Sequence, residues 1–116
     1  LTLLQQSEER MKESYETKLW VNNKDIELHP FVEQYVAGTV IGGVRTLKGV
    51  EGVRTVELKM LKRAVSLLVN GKSLELTQFP NDIICSTVTG VVSALKGVEK
   101  VVDSLQLDIK VAQKKT

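Results

Sequence analysis

The 116 residues predict an α+β fold, a two-layer sandwich assembled from a duplicated unit of β-hairpin, helix and strand. Three observations carry that expectation: an internal repeat, two changes of apolar period within each copy, and turn residues where the period changes. Laying Leu19 to Glu51 on Leu67 to Glu99, a shift of 48, matches sixteen of 33 positions. LWVNNKDIEL answers LLVNGKSLEL, GTVIGGVRTLKGVE answers STVTGVVSALKGVE, and after a one-residue slip VELKM answers LQLDI. Strand, helix, strand, twice over with a short turn at Leu61-Lys62, is the order of a ferredoxin-like sandwich, in which two helices cover one face of an antiparallel sheet.

Each copy opens on a strand: Leu19 and Val21 alternate with Lys18 and Trp20. Asn22-Asn23, and Asn70-Gly71 in the second copy, supply the positive-φ residues of a two-residue hairpin turn. That turn sets Val21 opposite Lys24, Leu19 opposite Ile26 and Leu67 opposite Leu74. The returning arms leave too few free edges for the usual four-strand order, so they are expected to project beyond the sheet, with a six-stranded sheet as the alternative. Val32, Val36, Val40, Val44 and Leu47 then recur at helical spacing, and Ile84, Val88, Val91, Val92 and Leu95 repeat the stripe. Pro30 and Pro80 mark the first turns, and Gly49 and Gly97 the ends. Each copy closes on an alternating strand, Val56, Leu58 and Met60 in one and Leu105, Leu107, Ile109 and Val111 in the other. The domain so defined spans 18–112, with repeats at 18–60 and 63–112. Ahead of it, 1–17 reads as an extension in which Leu4, Met11 and Tyr15 share a helical face; 113–116 is a solvated tail.

Composition narrows the chemistry. Hydrophobic residues at 42% and charged residues at 26% suit a globular chain, and one core is the limit at this length. A net charge of +2 lacks the basic excess of a nucleic-acid binder, and Trp20 is the one strand residue placed to stack a base. No apolar run approaches the ~20 residues that span a bilayer. Cys85 and His29 each stand alone, which removes disulfides, Cys-x-x-Cys chemistry and a thiolate-rich zinc site, and points to a reducing cytoplasm. Cys85, at the position of Ala37, reads as a small buried hydrophobe. His29 precedes Pro30 as a helix cap, and Glu27, Glu33, Glu75 and Asp82 as helix-end carboxylates. No motif marks a catalytic residue, a metal site or a cofactor.

The text GVEGVRTVEL and GVEKVVDSLQL resembles the helix-to-strand passage of heavy-metal-associated domains over about twelve residues. Those domains hold metal on a Cys-x-x-Cys loop before the first helix; here that region reads LHPFVEQ, so the metal function does not carry over.

The unusual feature is the outer side of the helices. Opposite the valine stripe stand Gly38, Ile41, Gly42 and Arg45 in one helix and Ser86, Thr89, Gly90 and Ser93 in the other, where a solvated helix carries charge. Mid-helix glycines cost roughly 1 kcal/mol each relative to alanine, so packing must offset them. Gly38, Ile41, Gly42, Ser86, Thr89 and Gly90, with Trp20 and Leu68 on the open sheet face, are therefore the candidate interface. The expected function is a small non-enzymatic protein–protein interaction or assembly subunit that self-associates as a homodimer. The alternative is a ligand-binding or regulatory module, with a small molecule held between the Asn22 and Asn70 hairpin arms and the helix starts at His29 and Thr77.

Overall fold

A computed structural model describes residues 13–98 and 101–113. The elements run β1 (Glu13–Val21), β2 (Lys24–Ile26), α1 (Pro30–Val44), β3 (Thr55–Leu61), β4 (Ala64–Val69), β5 (Lys72–Leu74), α2 (Gln78–Ser93) and β6 (Ser104–Gln113). They form an α+β arrangement of one six-stranded antiparallel sheet and two helices, ordered β2-β1-β6-β3-β4-β5. The domain edge expected at 17/18 falls inside β1, because residues 13–17 already pair with β6. The helical expectation for 1–17 otherwise concerns residues 1–12, which lie outside the described residues, as do 114–116.

Two expectations are corrected by the strand order. A ferredoxin-like sheet would set the long strands β6-β1-β4-β3, with β1 and β4 inside and both their edges taken. Yet β1 and β4 are the strands that carry the hairpin arms, paired Leu19 to Ile26 and Leu67 to Leu74 as the turn chemistry requires. An arm needs a free edge. The long strands stand instead as β1-β6-β3-β4, which moves β1 and β4 outward and gives each arm an edge. The arms thus extend the sheet to six strands and do not project from it. Each half's closing strand crosses over: β6 lies on β1, and β3 on β4.

The turns obey residue chemistry. Asn22 and Asn23 sit at φ 51° and 65°, and Asn70 and Gly71 at 54° and 81°, the left-handed pair that suits the twist of a hairpin. Lys62 and Arg63, joining β3 to β4, take the same conformation at 46° and 68°. Asn22 does a second job. Its Oδ1 accepts from the Asp103 and Ser104 N–H groups at 2.8 and 3.1 Å, and its Nδ2 donates to Val101 O at 2.9 Å. Asn70 repeats this on the other side, accepting from Arg54 and Thr55 N–H at 2.7 and 3.0 Å and donating to Gly52 O at 2.9 Å. Each turn thereby clamps the lead-in to the neighbouring half's closing strand.

The arms are three residues long, so part of β1 and β4 stays uncovered at the edge. Side chains from the first helical turns fill that gap. Gln34 accepts from Tyr15 N–H at 3.0 Å and donates to Tyr15 O at 2.9 Å, while Glu33 accepts from Thr17 N–H at 2.8 Å. Asn81 accepts from Val65 N–H and donates to Arg63 O, both at 2.9 Å. Unpaired edge groups that would otherwise invite another strand are satisfied locally.

The core lies between the sheet and the helices. Leu19, Val21, Val56, Leu58, Met60, Leu67, Val69, Leu105, Leu107 and Ile109 point inward from alternate strand positions, against Val36, Ala37, Val40, Ile41 and Val44 of α1 and Cys85, Val88 and Val92 of α2. Both valine stripes are inside, as their spacing predicts. Among the described residues no helix is long and apolar enough to cross a membrane.

Candidate functional site

The helical layer has one side on the core and one side outside. Helix α1 starts at Pro30, whose missing N–H costs nothing at that position, with His29 as N-cap and its carbonyl accepting from Glu33 N–H at 2.8 Å. From this start the 3.6-residue turn carries Phe31 and Tyr35 to the outer side, where they are 78% and 60% exposed, their rings stacked at 6.3 Å. The same rotation in α2 exposes Phe79 at 72% and Ile83 at 47%. The first turns of α1 lie beside the last turns of α2, and a hollow of about 360 Å³ opens there between Phe31, Tyr35, Gly90, Ala94 and Leu95.

No charged side chain interrupts α1 between Glu33 and Arg45, or α2 between Asp82 and Lys96. Hydroxyl groups on this layer turn back to their own helices: Thr39 Oγ1 donates to Tyr35 O at 2.8 Å and Ser93 Oγ to Gly90 O at 3.2 Å. These two hydroxyls are satisfied within their helices, while Ser86 Oγ accepts from the Arg63 guanidinium at 3.4 Å. Gly42 and Gly90 are exposed, and a Cβ built on either meets no heavy atom within 4 Å. Their smallness is not needed by the packing among the described residues.

The sequence-derived interface residues separate onto three surfaces. Gly42, Ser86 and Gly90 are exposed on the outer helical side. Ile41 is not: it is 0% exposed and belongs to the core, because α1 buries a broad arc against both the sheet and α2. Thr89 is half-buried with Oγ1 3.7 Å from Met60 Sδ, and a Cβ on Gly38 would stand 3.8 Å from a Tyr15 ring carbon, so both face the sheet. Trp20 and Leu68 are half-buried on the strand side away from the helices. Trp20 walls a shallow hollow of about 620 Å³ with Asn23, Lys59, Leu61, Ser66 and Gln106. The outer aromatics Phe31, Tyr35 and Phe79, with Ile83, were missed by reading the valine stripe alone. Their signal is present, since Phe31 and Phe79 are identical at equivalent positions and an apolar residue follows each at i+4.

Groups with chemical potential elsewhere are occupied or separate. The Glu33 carboxylate holds Thr17 N–H, and Asp82 accepts from Gln78 Nε2 at 3.1 Å. His29, Glu27 and Glu75 are exposed. Cys85 is 1% exposed, with Sγ 3.3 Å from Met60 Sδ. The Asn22 and Asn70 amides, placed by sequence beside a small molecule, are bound to backbone instead. Among the described residues no group of three or more His, Cys, Asp or Glu side chains could hold a metal ion. Comparisons with protein-family models, curated proteins and solved structures return no match to this chain.

Proposed function

We propose that this chain is a non-enzymatic assembly subunit that self-associates through its outer helical side, and that it arose by duplication of a hairpin, helix and strand unit. The supporting observation is the exposure of Phe31 and Tyr35 at one end of the helical layer's outer side and of Phe79 and Ile83 at the other, with no charged residue from Gln34 to Val44 or from Ile83 to Leu95. Large exposed apolar side chains gathered on one face mark contact surfaces, whereas single scattered ones do not. A second copy suits this surface because projections and gaps occur on the same face, Phe31 and Phe79 standing out and Gly42 and Gly90 leaving room. That is the self-complementarity a two-fold dimer requires. The duplication is supported by the sixteen identities and by turn clamps that match bond for bond. A reducing, cytoplasmic setting fits the lone buried cysteine.

The test is sedimentation of the wild type beside a Gly42→Glu, Gly90→Glu double variant. Each site has space for a side chain, and glutamate is a better helix former than glycine by roughly 0.5 kcal/mol. The variant chain therefore folds at least as well alone, while a charge buried at a contact costs several kcal/mol. A wild-type dimer at micromolar concentration and a stable monomeric variant are expected. A wild type that sediments at 12.9 kDa would reject the reading.

A further inference from the structure

Two adjoining hollows, of about 910 and 480 Å³, lie where the loop after α1 meets the β4-β5 turn. Both are lined by Glu51, Arg54 and Asn70; Arg45 completes one, and Lys48 and Lys72 complete the other. Four cationic side chains and one carboxylate thus border these two adjoining hollows, with Arg54 shared between them. We propose that this region binds a compact multivalent oxyanion, the phosphate group of a soluble phosphorylated small molecule. The inference is independent of self-association.

The framework is held rigidly. Asn70 binds the Gly52 carbonyl and the Arg54 and Thr55 N–H groups, and Arg54 O accepts from Val111 N–H at 2.8 Å. The Arg54 side chain therefore leaves from backbone fixed on both sides. Gly49 and Gly52, at φ +82° and +58°, let the loop reverse within a few residues, a conformation other residues adopt only under strain. Guanidinium groups suit a phosphate because their planar forks donate in pairs, and lysines add charge.

The other half of the molecule supplies a comparison. Asn22 makes the same three bonds to the lead-in of β6, yet Asp103 stands at the position of Arg54 and Ser93 at that of Arg45. Lys96 and Lys24 stand there at the positions of Lys48 and Lys72, so the same scaffold folds with the two lysines but without the two arginines. The arginine pair is accordingly not required for folding, and its addition beside Lys48 and Lys72 on one side alone points to an anionic ligand.

Inorganic pyrophosphate is the probe, titrated calorimetrically into the full chain at about 10 mM ionic strength, where exposed charges are least screened. One saturable site per chain is expected. Arg54→Asp weakens it at least about tenfold while circular dichroism and thermal midpoint stay unchanged, and Arg54→Gln with Lys48→Gln does the same without adding a negative charge. Combining Ser93→Arg with Asp103→Arg creates a second site on the opposite side. Heats that rise without saturation, or an Arg54→Asp affinity within twofold of wild type, would overturn the proposal, as would tighter binding of an oligonucleotide duplex than of pyrophosphate.

Discussion

Replacing Asn22 by alanine tests whether one turn residue holds the two halves of the sheet together. The substitution removes three hydrogen bonds, of 2.8, 2.9 and 3.1 Å, to Asp103, Val101 and Ser104. Because the site is partly exposed, each is set near the low end of its usual range, about 0.7 kcal/mol, for a loss of about 2 kcal/mol. Alanine at φ 51° adds about 1 kcal/mol of left-handed strain that asparagine tolerates better. The sum, about 3 kcal/mol, corresponds to a fall of about 12 °C in Tm for a domain of this size. Asn22→Gly separates the terms, since glycine accepts the φ and loses only the bonds, so about 2 kcal/mol is expected. Urea titration reads both through the midpoint with an unchanged slope, and hydrogen exchange at the Asp103 and Ser104 amides should accelerate in both. Asn70→Ala should cost a similar amount, because its three bonds are equivalent. A loss below about 0.5 kcal/mol for Asn22→Ala would show that water replaces the clamp without penalty, and equal losses for alanine and glycine would remove the strain term.

Thr17 carries a buried hydroxyl with no hydrogen-bond partner, and the equivalent position in the second half is Val65. Thr17→Val should therefore stabilise the fold by about 1 kcal/mol, measured by urea titration; destabilisation would show the hydroxyl to be satisfied. Cys85 should react with a disulfide reagent only through opening of the fold, because it is 1% exposed against Met60. Stoichiometric labelling of the native protein within seconds would contradict that placement.

The local pieces are legible in the order of residues alone. Asn22-Asn23 and Asn70-Gly71 are turns with the predicted pairings, since a two-residue left-handed turn leaves no choice of register between its flanking strands. Val36, Val40, Val44, Val88 and Val92 are buried, because a stripe at helical spacing has one side to bury. His29 is the N-cap by its position before Pro30, with no capping bond from its side chain, and Cys85 is interior by position and residue type.

Which elements lie side by side depends on the assembled sheet and helices. Apolar alternation assigns a strand's faces but carries no information about its edges, so it could not tell β1-β6-β3-β4 from the ferredoxin-like order. Edge competition resolved it: arms attached to β1 and β4 exclude any arrangement that puts those strands inside. The same limit governed the candidate surface. A helical wheel gives directions around an axis, whereas the width of the buried arc depends on how many neighbours surround the helix. Packed on a six-stranded sheet and against α2, α1 buries Ile41 and turns Gly38 toward Tyr15, leaving Phe31, Tyr35 and Gly42 as its outer side. The Asn22 clamp was likewise beyond reach of the sequence, because its partners lie 79 to 82 residues away and become neighbours only when β6 settles on β1, whereas Asn70 meets partners 15 to 18 residues away across the β3-β4 hairpin.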